Sequence, residues 1–154
     1  MVPKLCPYPF FADDKYRWDA NIIKTQTAIA ANGSYKLISI NGQDGRLGQV
    51  SVNLASQTAV RLVVDVDGAR LVNHTSEDVE DTGAGDLALE IPNAFDSLLR
   101  TTKSASTNYA LTFMAHLIKL DFKTRCDVNL INDTTSAVNL QAAWAIWGIL
   151  RRPN

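Results

Sequence analysis

Between Tyr109 and Arg152 the chain places apolar residues at every second position, and this alternation limits the fold more than any other feature. Ile118, Leu120 and Phe122 form one set. Cys126, Val128 and Leu130 form a second, and Val138, Leu140, Ala142, Trp144 and Ile146 a third. Successive side chains of an extended strand point to opposite faces, so a period of two marks a strand with one face buried. Three strands are expected here, with turns at Lys123-Thr124 and at Asn132 to Ser136. The last strand carries the longest apolar run, Ala142 to Leu150, which belongs against a core. Trp144 and Trp147 fall on opposite faces of that strand. One should enter the core, and the other is open to a partner or a sugar.

The preceding residues read the same way. Ile22 to Ala30 is rich in β-branched residues, and Asn32-Gly33 is a hairpin turn signal, because both residues accept positive φ. Tyr35 to Ile40 and Leu47 to Leu54 alternate. Val60, Leu62, Val64 and Val66 share a face, Asp67-Gly68 closes a type I′ turn, and Ala69 to Val72 returns. Residues 73–86 are polar and acidic and read as a long exposed loop. Leu87 to Ile91 reads as a strand. Pro92 then opens a short helix from Asn93 to Arg100, followed by a serine- and threonine-rich linker from Thr101 to Asn108. Many short strands separated by turn residues define an all-β chain, a sandwich or a barrel.

Residues 1–19 have a different character. Pro3, Pro7 and Pro9 block helix and confine the segment to extended conformations. Leu5, Tyr8, Phe10, Phe11, Tyr16 and Trp18 are too apolar to stay in water. The segment reads as an extended N-terminal arm lying on its own domain or on a neighbouring chain, with residues 20–154 as the sandwich. Aromatic anchors are what interface centres favour. The expected subunit or partner interface is Tyr8, Phe10, Phe11, Trp18 and Trp147.

A chain of 154 residues is expected to be one domain and to bury about 70% of its unfolded surface, enough to fold without staples. Its net charge of −1 argues against a large nucleic-acid surface, which needs a basic excess. Prolines interrupt the first residues where a secretory signal needs a continuous apolar stretch, and no run approaches the ~20 apolar residues of a membrane span. Cys6 and Cys126 are too few for a disulfide framework; Cys126 reads as a small buried hydrophobe, and a Cys6–Cys126 bridge stays open.

The candidate chemistry is thin. Asp65-Val66-Asp67-Gly68 resembles the opening of a calcium loop but lacks the later acidic ligands. Glu77-Asp78-Val79-Glu80-Asp81 reads as a solvated acidic run. His74 and His116 lie outside metal spacing of each other and of either cysteine, and His116 reads as a hydrogen-bonded strand residue. Asn32-Gly33-Ser34, Asn73-His74-Thr75 and Asn132-Asp133-Thr134 match a glycosylation pattern short enough to arise by chance. These residues predict no enzyme, no metal and no cofactor.

The run Ile118-Lys119-Leu120-Asp121-Phe122-Lys123-Thr124-Arg125-Cys126-Asp127-Val128-Asn129-Leu130-Ile131-Asn132, with the closing strand through Trp147-Gly148-Ile149-Leu150-Arg151, resembles the last strands of jelly-roll proteins of tailed-phage virions. The Asp65-to-Gly68 hairpin is similar too. The resemblance implies a jelly-roll-like antiparallel β-sandwich, with one short helix and the extended N-terminal arm, that serves as a capsid decoration or cement protein. Such a protein would sit in the virion, self-associate as a trimer or dimer, with a trimer expected here, and bind the major capsid protein, with neither nucleic acid nor membrane as partner. A carbohydrate- or receptor-binding β-sandwich is the alternative.

Overall fold

The computed structural model describes residues 15–80, 99–105 and 108–151. In chain order the strands are β1 (Tyr16–Ile23), β2 (Thr27–Ile29), β3 (Ser34–Asn41), β4 (Gly45–Leu54), β5 (Val60–Val66), β6 (Ala69–His74), β7 (Leu99–Ala105), β8 (Asn108–Phe113), β9 (Asp121–Phe122), β10 (Arg125–Asn132) and β11 (Val138–Leu150). A short helix, α1 (Ser76–Glu80), follows β6, and a 3-10 turn spans Ala115–Ile118.

The topology follows from one hairpin. Asp67 and Gly68 have φ of 51° and 85°, the two positive angles a type I′ turn requires, so β5 folds straight back as β6. From that tip the chain runs as a nested antiparallel ribbon. β4 pairs with β8, β3 with β10 and β1 with β11. The ribbon then wraps on itself, because β11 also pairs with β4 and β10 with β5. Two sheets result, one in the order β1-β11-β4-β8-β7 with β2 and β9 attached, the other β3-β10-β5-β6. A doubled ribbon wound across two facing sheets is the jelly roll. Here an extra edge strand, β7, widens one sheet.

The inner faces meet in a core of Val50, Val52, Leu54, Leu111, Phe113 and Leu140 from the first sheet and Leu62, Val64, Val128 and Leu130 from the second. Each is at most 1% exposed, and each contributes about 1.5–3 kcal/mol by leaving water. Cys126 is also fully buried and carries a free thiol. Burial, reinforced by the charges of Asp127, Asp67 and Asp65, pushes that thiol up to about 12. Cys126 is therefore a packing residue rather than a nucleophile; Cys6 lies outside the described residues.

Several segments differ from the sequence expectation. Tyr16 to Asp19 belong to β1, paired with Trp147 to Leu150, so the chain enters the sheet before residue 20; residues 1–14 lie outside the described residues. The expected strand at Ile118-Leu120-Phe122 is a 3-10 turn followed by the two-residue β9, and His116 sits in that turn. Burial holds His116 below its usual value, against a hydrogen bond with the Gly48 backbone. The acidic run is not simply a loop. Thr75 N–H donates to Asp78 Oδ2 at 2.8 Å and Asp78 N–H to Thr75 Oγ1 at 3.1 Å, a capping box that starts α1 and delivers Val79, fully buried, to the core. Leu99 and Arg100, expected to end a helix, begin β7 instead, and Thr101 to Ala105 are strand rather than linker. The remainder of the expected helix, at 93–98, and the expected strand at 87–91 lie outside the described residues.

Candidate functional site

Which tryptophan faces out is decided by a bulge. Up to Leu140 the inner face of β11 carries Val138 and Leu140, as the alternation requires. Between Leu140 and Ala142 the pairing with β4 slips by one residue, and the extra Gln141 exchanges the two faces. Beyond it Ala143 and Ala145 enter the core and Trp147 and Ile149 pack against it. Ala142, Trp144 and Ile146 are thereby turned to the outer face. Trp147, expected at an interface, is thus on the core side, and of the two tryptophans of β11 it is Trp144 that faces outward.

The outer face continues onto β1. Ile22 is registered against Trp144, Ala20 against Ile146 and Trp18 against Gly148. Directly opposed residues of an antiparallel pair share a face. Ile22 is 57% exposed. With Ala142, Trp144, Lys24, Ser51 and Asn53 it lines an open groove of about 420 Å³. The walls are mainly apolar. Ser51 Oγ is engaged with Thr112 Oγ1 at 3.0 Å, whereas Asn53 Oδ1 is buried and lacks a donor.

The Tyr16 end of the stripe is built differently. Gly148 has no side chain because the rings lie on it: a Cβ there would stand 2.8 Å from Tyr16 Cβ and 3.0 Å from Trp18 Cε3. The two ring centroids are 5.6 Å apart. Arg46 stacks its guanidinium 4.8 Å from the Tyr16 ring centre and pairs with Asp121 through Nε–Oδ1 at 2.5 Å and Nη2–Oδ2 at 3.2 Å. Tyr16 Oη also donates to Asp121 Oδ1, at 3.4 Å. Of the expected interface residues, Trp18 lies on this outer face, and Tyr8, Phe10 and Phe11 are outside the described residues.

A second hollow, of about 460 Å³, lies at the hairpin end of the other sheet, lined by Asp65, Gly68, Arg70, Arg125 and Asp127. Arg70 Nε reaches Asp65 Oδ1 at 3.0 Å and Arg125 Nε reaches Asp127 Oδ2 at 2.6 Å, so its charges cancel in pairs. The acids of the Asp65-to-Gly68 motif are engaged within the chain. Asp67 accepts backbone N–H bonds from Lys123, Thr124 and Arg125 at 2.8–3.0 Å, and the Thr124 hydroxyl at 3.1 Å. Desolvation opposes ionisation of Asp67, but these four donors outweigh it and hold its carboxyl below the usual range. Its role is to tie the β5–β6 tip to the turn that opens β10. Among the described residues no group of three potential metal ligands comes together.

The sequence contained signals for some of this. Thr75-Ser76-Glu77-Asp78 is a legible capping box. The groove had no such signal, since the bulge at Gln141 shows only in the pairing of β11 with β4.

No family model matches the chain, and a search of curated proteins finds no significant match. Among solved structures it is similar to the VP2 subviral particle of infectious bursal disease virus, at 12% identity and a TM-score of 0.40. That match covers 97% of this chain and 37% of the other, so the chain spans little more than a third of the protein it resembles. The jelly roll itself rests on the strand pairing described above, and it is a fold that viral capsid proteins, lectins and cupins all use.

Proposed function

We propose that the chain is a non-enzymatic structural protein of a virus particle, one that self-associates and binds or stabilises a capsid shell. Decoration or cement proteins of tailed phages are the closest functional type, with a homotrimer as the expected assembly and the major capsid protein as the expected partner. The observation that carries the reading is the apolar outer stripe of Trp18, Ala20 and Ile22 on β1 with Ala142, Trp144 and Ile146 on β11. Such a face on a rigid sheet is suited to burial against another protein, where aromatic residues dominate the binding energy. The jelly roll admits this function without selecting it.

The test is co-sedimentation of purified protein with shells assembled without it. Wild-type protein should pellet with the shells, and Ile22→Asp should remain in the supernatant while keeping its folded circular dichroism. A wild-type protein that stays in the supernatant at every concentration would overturn the proposal. The second reading, a carbohydrate- or receptor-binding module, is favoured by one observation. Asn53 Oδ1, buried without a donor, lies in the same groove as Trp144, and a sugar supplies both an apolar ring face and hydroxyl donors. Glycan-array binding that Trp144→Ala abolishes would select it.

A further inference from the structure

We propose that the groove between Ile22 and Trp144 receives residues 1–14 of a second copy of the chain. The inference rests on the self-association proposed above and names its two halves.

The direction of β1 is the first argument. β1 runs from Tyr16, beside Leu150, to Ile23, beside Ala143. The groove lies at the Ile23 end, whereas the preceding chain is joined to β1 at its Tyr16 end, the end away from the groove. To reach its own groove it would have to reverse direction and then travel back past six residues of β1, about 20 Å at ~3.3 Å per residue. There is no glycine from Met1 to Lys15 to ease that reversal, and Pro3, Pro7 and Pro9 favour extended backbone. A neighbouring copy requires no reversal.

Length is the second argument. Fourteen residues span up to about 46–50 Å when extended. That is more than twice the distance from Tyr16 to Ile22, enough to leave one molecule and lie across the outer sheet of the next.

Chemistry is the third. Leu5, Tyr8, Phe10 and Phe11 are separated by prolines that cannot donate to a strand ladder. They match a site that offers side-chain contact, and Ile22, Ala142 and Trp144 offer it. Asn53 Oδ1, which lacks a donor in the isolated chain, gains one from a backbone N–H of the incoming segment. The Asp19 carboxylate accepts the Ala20 N–H at 2.8 Å, occupying a backbone donor of β1 and disfavouring simple edge-to-edge strand addition.

The experiment uses full-length chains and light scattering over a range of concentrations. One variant weakens the arm, Phe10→Ser with Phe11→Ser; the other blocks the groove, Ile22→Asp. Wild-type protein should be an oligomer, and each variant alone should fall to monomer mass. Mixed in equal amounts, they should regain the mass of two chains, because the intact arm of one enters the intact groove of the other. If the mixture stays monomeric, or the arm variant keeps the wild-type mass, the arm-in-groove proposal is overturned while self-association stands. If wild-type protein is monomeric at every concentration, self-association falls with it.

Discussion

Asn132 ties together the far end of the sandwich, and exchanging one atom of its side chain should undo that. It is fully buried. Its Nδ2 donates to the carbonyls of Ile29, Ala30 and Ser136 at 3.1, 3.2 and 2.9 Å, and its Oδ1 accepts the N–H and hydroxyl of Thr134 at 3.0 and 2.6 Å. One side chain thus joins the connection after β2 to the turn between β10 and β11. Asn132→Asp keeps the shape but turns an oxygen toward three carbonyl oxygens. The loss of Nδ2 donation, at roughly 1 kcal/mol net per bond, adds to the cost of a buried, uncompensated charge. About 3–5 kcal/mol is expected at pH 7, a large share of the ~5–15 kcal/mol that holds a domain together. The assay is urea denaturation followed by tryptophan fluorescence. The introduced carboxyl has its folded pKa raised above the unfolded value, so the neutral acid is tolerated best. The deficit relative to wild type should therefore shrink as pH falls through that raised pKa. Should the variant not fold at pH 7, Asn132→Ala, which adds no charge, should fold with a smaller loss. A stability for Asn132→Asp within about 1 kcal/mol of wild type would refute the reasoning. The same burial keeps Asn132, in its Asn-Asp-Thr pattern, out of reach of a glycosyl transferase once folded.

Three further outcomes are expected. Asp67→Ala should cost about 1–2 kcal/mol, by analogy with a lost helix cap. Because the folded pKa of Asp67 lies below 3.8, its contribution is full above that pH and fades as pH falls through the folded value, so the difference between variant and wild type should narrow in acid denaturation. Trp147→Ala should cost about 3–5 kcal/mol as a cavity beside the core, whereas Trp144→Ala on the outer face should cost far less; equal losses in chemical denaturation would contradict the faces assigned to them. Gly148→Ala should cost about 1–3 kcal/mol by overpacking, since its methyl would press on Tyr16 and Trp18, and the near-ultraviolet aromatic signal should change with it.

The arm and the stripe bear on the proposed function in different ways. A sandwich that closes its core between two sheets leaves the outer face of each free for other use. Here the face of β1 and β11 is apolar, while the hollow on the opposite sheet pairs its charges internally. The difference in chemistry between the two outer surfaces makes the first the site to mutate when assembly is tested.

Local chemistry alone determined many of the strands and the turn at Asp67-Gly68. Asp67-Gly68 closes its hairpin with both residues at positive φ, whereas the hairpin expected at Asn32-Gly33 does not form, because β2 pairs with β11 in one sheet and β3 with β10 in the other; alternation marks β5, β10 and most of β11 as half-buried. That is enough for an all-β sandwich, and the nested pairing around one hairpin makes it a jelly roll. The tertiary structure alone decided which face is which. A strand's parity is a local property only until a bulge intervenes, and the slip at Gln141 is visible only in the register between β11 and β4. For the same reason Trp144 and Trp147 were interchangeable in sequence, Tyr16 to Asp19 read as an arm until β11 supplied a partner, and Asn132 looked like any polar turn residue. Each of these depends on groups far away in the chain, which a period-two pattern cannot encode.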